Sequence, residues 1–302
     1  MQKRKIYYII ASFLLAIAIG AVIVFAGTKQ KTTVTNAPAE VVVNETDSSD
    51  NAEENPAVPE EEEEDDSSGI RNAFRKLFKD TIGLFIKEDL HITAIGDSLT
   101  EGVGDATENG GYVGILQQTF EETEDHVKID NFGKRGNRTD QLLKRIDDPV
   151  ISSSIKNADV VLITIGANDI MKVTKDHFTD LDYDAYSAEM PDYEERMKEI
   201  FQKIDKLNPD AEVYLIGFYN PFEESVPELE EQLGTIMTEF NGIGEKVAEE
   251  EGQHYIETAD LFHNQTGSLL ADDYFHPNEI GYGKMAQRVL DNIKPVIQED
   301  EE

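Results

Sequence analysis

Ser98 stands in Gly96-Asp97-Ser98-Leu99, directly after the short apolar run 91–95. A serine at the seam between a strand and a loop is either a turn residue and helix cap or a nucleophile for acyl transfer. The stretch alone does not separate the two, because Asp, Ser, Thr and Gly satisfy loose backbone donors in ordinary turns. A nucleophilic serine needs a base for its proton, a carboxylate to fix the base's tautomer, and donors for the developing oxyanion. The possible bases are His91, His126, His177, His254, His263 and His276. His276 differs in its setting, Asp273-Tyr274-Phe275-His276-Pro277. Residues three apart in a helical turn face the same way, so the Asp273 carboxylate can reach the His276 ring. Pro277 suits the first turn of the last helix and fixes where the histidine points. The adjacent Asp272 lacks the three-residue spacing. The alternative is a helix N-terminus with an incidental histidine. Oxyanion donors are available in Gly136 of NFGKRGNRT and Asn168 of IGANDI. A glycine N–H approaches a substrate with no side chain in the way, and an asparagine amide donates without a charge to neutralise. Each reads equally as an ordinary loop residue, and Gly133 competes with Gly136.

These residues need elements to position them. Strand-like runs fall at 91–95, 127–132, 160–165, 212–218 and 253–259, with helical patterns at about 111–123, 138–146, 191–207, 228–250 and 278–297. The central runs are apolar without alternation, as strands covered on both faces should be. Five strands alternating with helices predict one doubly wound, mostly parallel α/β domain. Ligand crevices in such sheets lie beyond the carboxyl ends of the strands. Ser98, 133–138, 166–169 and 219–222 each follow a predicted strand, so they are expected on one rim.

With four such segments in order, the chain resembles the SGNH/GDSL hydrolases over about residues 90–297. Gly96-Asp97-Ser98-Leu99 matches the Gly-Asp-Ser block, Gly136 the glycine of the second block, Gly166-Ala167-Asn168-Asp169 the Gly-x-Asn-Asp block, and Asp273 to His276 the Asp-x-x-His block. No Gly-x-Ser-x-Gly elbow surrounds Ser98, which sets the chain apart from ordinary α/β-hydrolases. The resemblance implies a three-layer, flavodoxin-like sandwich with Ser98 as nucleophile, His276 as base and then acid, and Asp273 orienting His276. It further implies an oxyanion hole of the Ser98 and Gly136 N–H groups and the Asn168 side chain, supported by Asp97, Gly166 and Asp169. No metal or organic cofactor is implied. The expected substrate is a small-molecule or lipid acyl ester, of the lipase/acylhydrolase kind and including lysophospholipids. The alternatives are removal of O-acetyl groups from cell-wall glycan and a surface binding domain with a vestigial triad.

Composition narrows the setting. The 302 residues contain no cysteine or tryptophan and carry a net charge of −35, which repels nucleic acid. Residues 6–27 are free of charge and long enough to span a bilayer, after Lys3, Arg4 and Lys5. This length exceeds the ~7–15 apolar residues of a cleaved signal peptide, so 1–27 is expected as a retained anchor with the domain outside the cell membrane, and otherwise as a leader for secretion. Residues 32–69 lack Lys and Arg while 40–66 hold thirteen acids, so 28–69 reads as a disordered acidic linker. Segment 70–89 places Phe74, Leu77, Phe78 and Phe85 at helical spacing among basic residues. It reads as an amphipathic helix, either on a membrane surface or packed on the catalytic domain, 90–302. Two aromatic segments, 171–190 with Phe178, Tyr183 and Tyr186, and 219–227 with Tyr219 and Phe222, either wall an acyl pocket or are packed loops.

Overall fold

The computed structural model describes residues 89–107, 109–121, 127–177, 182–225 and 227–298. The expected anchor, linker and amphipathic helix lie outside the described residues, as do Phe178 and His126. Among the described residues no helix is long and apolar enough to cross a membrane.

Five strands form the sheet: β1 (His91–Gly96), β2 (Lys128–Gly133), β3 (Val160–Thr164), β4 (Glu212–Ile216) and β5 (His254–Ile256). Their order is β2-β1-β3-β4-β5, and all four pairings are parallel. Every residue of β1 and β3 is buried, whereas the edge strand β2 is half-exposed. This is the distribution that the unbroken apolar runs require, since central strands are covered on both faces. The ten described helices are α1 (Ser98–Glu101), α2 (Gly111–Glu121), α3 (Thr139–Arg145), α4 (Pro149–Lys156), α5 (Ala167–Asp176), α6 (Tyr183–Leu207), α7 (Pro227–Glu250), α8 (Ala259–Phe262), α9 (Thr266–Leu269) and α10 (Glu279–Ile297). On one face Ile92, Ala94, Val160 and Leu162 share a core with Tyr112 and Phe120 of α2 and Tyr282 and Val289 of α10. Alternation sends Val161, Ile163, Val213 and Leu215 to the other face, where they are also buried. There α6 and α7 pack together, with the rings of Tyr193 and Phe240 4.9 Å apart.

The sheet ends are level. Gly96 pairs with Gly133 and with Thr164, and Thr164 with Ile216. The loops after β1, β2, β3 and β4 therefore leave from one rim, as the chain order implies.

Two expectations need correction. Residues 171–190 are not an aromatic rim loop: they contribute to α5 and to the start of α6, which begins eight residues before the expected 191. Asp182 caps α6 by accepting from the Asp184 N–H at 3.2 Å. Tyr186 is fully buried, its hydroxyl 3.0 Å from Thr174 Oγ1, so burial carries the helix back through Pro191. Helix α4, absent from the expected pattern, is built by local chemistry, with Asp148 accepting from the Val150 N–H at 2.8 Å and Pro149 opening the helix.

Candidate active site

Ser98 opens α1 immediately beyond β1. Asp97 caps that short helix, its Oδ1 accepting from the Leu99 N–H at 3.0 Å and the Thr164 hydroxyl at 2.9 Å. Thr164 spends its one proton on Asp97, so Thr100, 2.7 Å away, donates to Thr164, and the Tyr112 hydroxyl in turn donates to Thr100 at 3.2 Å. This buried chain fixes the turn that presents Ser98, itself only 4% exposed.

His276 arrives from the far end of the sequence. Its Nε2 lies 2.9 Å from Ser98 Oγ, and its Nδ1 lies 2.6 Å from Asp273 Oδ2. The other Asp273 oxygen accepts from the backbone N–H groups of Phe275 and His276, at 3.0 and 2.9 Å. Burial would raise the Asp273 carboxyl, but the hydrogen bond from the His276 ring and those two N–H groups hold it down at about 2. A carboxylate on one side fixes the proton on Nδ1 and leaves Nε2 to accept from Ser98. Tyr219 steadies the segment by donating to the Phe275 carbonyl at 2.7 Å.

Asn168 lies in the first turn of α5, capped by Gly166. Its Nδ2 donates to the Asn137 carbonyl at 3.1 Å. An amide nitrogen carries two hydrogens, so one seats Asn168 on the loop after β2 and one is left for a substrate. Asp169 ties the same two segments together, accepting from the Thr139 N–H at 3.1 Å and hydroxyl at 2.6 Å. Burial raises its carboxyl, against the Thr139 hydrogen bonds and the Arg196 charge.

Gly136 and Gly133 separate clearly. Gly136 is exposed with φ +74, and a Cβ there would meet nothing within 4 Å, so its backbone conformation, and not lack of space, is what favours glycine. A Cβ on Gly133 would come within 2.1 Å of the Glu101 N; that glycine allows β2 to close against α1. Gly136 is not among the walls of the pocket beside Ser98, which include Asp97, Leu99, Ala167, Asn168, Phe218, Tyr219 and Met237.

The other described histidines are held elsewhere: His91 against Asp130 at 2.9 Å, His254 against Glu212 at 2.7 Å, His263 against Glu223 at 2.6 Å, and His177 as the α5 C-cap. Sequence reasoning missed Arg196, whose Nε donates to Thr139 Oγ1 at 2.7 Å and whose Nη2 reaches Asp169 at 3.2 Å and Glu189 at 2.6 Å. An arginine on a charged helix face carries no signal of this role. It missed Met237 for a similar reason, since a methionine at helical spacing reads as core.

A model of the GDSL-like Lipase/Acylhydrolase family matches residues 94–284, a span holding Ser98, Gly136, Asn168, Asp273 and His276. The chain belongs to this family. As a GDSL-like family member it is a serine hydrolase acting on ester bonds. The uncharacterized protein YpmR of Bacillus subtilis (strain 168) is 37% identical over 213 residues, covering 69% of this chain and 83% of YpmR. The lipase Lip_vut3 from a goat rumen metagenome is 26% identical with a TM-score of 0.59, over 66% of this chain and 95% of that one. The acetylxylan esterase Axe2 from Geobacillus stearothermophilus, at 21% identity and a TM-score of 0.54, covers 70% of this chain and 96% of its own, a likeness of fold.

Proposed function

We propose that the chain hydrolyses acyl esters through a Ser98–His276–Asp273 triad. The observation that carries this reading is the continuous chain from Asp273 Oδ2 through the His276 ring to Ser98 Oγ, 2.6 and 2.9 Å long at its two links, beside a largely apolar pocket. His276 Nε2 takes the Ser98 proton as Oγ bonds to the ester carbonyl carbon, and the carbonyl oxygen becomes an oxyanion. The Ser98 and Gly136 N–H groups and the second Asn168 hydrogen stabilise that charge. The intermediate collapses by breaking the carbonyl carbon–alkoxy bond, and His276 returns the proton to the leaving alcohol. Water, deprotonated by His276, then attacks the acyl-serine; the carboxylic acid leaves and Ser98 regains its proton.

The acyl reading includes lipase-type substrates such as lysophospholipids, in keeping with a lipase among the similar structures. A second reading, removal of O-acetyl groups from cell-wall glycan, is favoured by the small size of the pocket beside Ser98, about 20 Å³. We further propose that the domain works outside the cell membrane on a tether, supported by the charge-free run 6–27, the lysines and arginine before it, and the acidic segment that follows.

Ser98→Ala tests the triad. Its kcat on p-nitrophenyl acetate is expected to fall by ~10⁴–10⁶, as loss of a triad nucleophile does, with an unchanged melting transition. A pure, folded variant keeping more than about a tenth of wild-type turnover would sink the assignment.

A further inference from the structure

Two spaces meet behind Ser98. The pocket against it holds about 20 Å³, little more than the ~10–15 Å³ one water occupies by this measure. On the other side of one wall opens a cleft of about 500 Å³, bounded by Asn220, Glu223, Gly234, Thr235, Thr238 and His263. Phe218 and Met237 line both spaces, and each is 4% exposed, so these two side chains are the shared wall. The wall is anchored from α7. Asn241 Oδ1 accepts from the Phe218 N–H at 3.1 Å and its Nδ2 donates to the Phe218 carbonyl at 2.6 Å. Met237 lies four residues earlier, on the same helix face as Asn241.

We infer that Met237, backed by Phe218, sets the length of acyl group the site accepts. The inference rests on the reading of Ser98 as the ester-cleaving nucleophile. An acetyl methyl fits the pocket as it stands. A longer acyl chain must displace Met237 and run on into the cleft beyond. Methionine suits such a position, being unbranched and adaptable, but a displaced Met237 has to give up its buried packing. The class of substrate that the resting site takes is therefore an acetyl ester.

The test is a chain-length series with the full chain on p-nitrophenyl acetate, butyrate and octanoate, for wild type, Met237→Ala, Met237→Val and Ser98→Ala. One methylene too many in an apolar pocket costs ~10–200-fold in discrimination. Wild-type kcat/KM for octanoate is accordingly expected at least about tenfold below acetate. Met237→Ala should raise the octanoate-to-acetate ratio at least about tenfold, with Met237→Val between. Both rates come from the same folded molecules, so the ratio is independent of the folded fraction, and Met237→Val carries the test if the alanine variant does not fold. Equal wild-type rates on octanoate and acetate, or an unchanged ratio in variants that cleave acetate, overturns the role of Met237. Activity surviving in Ser98→Ala overturns instead the reading beneath it; activity lost there with an unchanged Met237 ratio overturns only the wall.

Discussion

At Asp97 burial dominates. It pushes the carboxyl from its ordinary 3.8 up to about 7, against hydrogen bonds from the Leu99 N–H and Thr164. Asp273, in the same site, is held at about 2 because the His276 ring and two N–H groups outweigh its burial. The signs differ. A raised folded pKa means the folded state binds the proton more tightly, so the Asp97 contribution is fully present below about 3.8 and is lost as pH rises through 7. A depressed folded pKa means the Asp273 contribution is present above 3.8 and is lost as pH falls through 2. Of these two carboxyls only Asp97 changes between pH 4 and 8, by an amount on the order of a few kcal/mol. Denaturant unfolding of wild type and Asp97→Asn across that range is expected to show curves that diverge, wild type losing stability relative to the variant as pH rises. Parallel curves would mean the Asp97 carboxyl is not raised by its burial.

Helices α3, α5 and α6 do for Gly136 and Asn168, the proposed oxyanion donors, what β1 does for Ser98. Arg196 on α6 joins Asp169 on α5 to Thr139 on α3, and so presses the loop that carries Gly136 toward Asn168. Arg196→Leu is expected to cost ~1.5–3 kcal/mol, the worth of hydrogen bonds to a charged group. Acting as a positioning residue, it should also lower kcat by ~10-fold or more with little change in KM, since small misplacements are costly in turnover. Wild-type kcat in a variant that is folded but less stable would reduce Arg196 to a purely structural role. The strands and the rim were legible in the sequence because unbroken apolar runs, each closed by a Gly- or Asn-bearing loop, have few other readings. Ser98, Asn168, Asp273 and His276 were legible for the same reason of local context. Helix α5 was not: Gly166-Ala167-Asn168-Asp169 reads as a loop until Asp169 is seen accepting from Thr139, thirty residues away in the chain. The start of α6 was hidden by Pro191, whose fixed φ suits a first turn; only the burial of Tyr186 shows that the helix is already under way. Arg196 and Met237 depend on partners across the fold, which no local pattern records.

Over the whole chain, residues from 71 onward carry 22 basic and 49 acidic side chains. That excess repels anionic surfaces and anionic substrates at a distance, which favours an ester without net negative charge. The fold's contribution is to join Ser98 on the first strand's loop to His276, 178 residues later, and every step of the proposed chemistry depends on that junction. The most direct test is covalent capture by a fluorophosphonate ester, which reacts with a serine only when a base activates it. Intact mass and peptide mapping of the full chain are expected to show one adduct, on Ser98, forming as esterase activity disappears. His276→Ala should label far more slowly. An adduct on another residue, or no adduct in protein whose activity the reagent abolishes, would contradict the account.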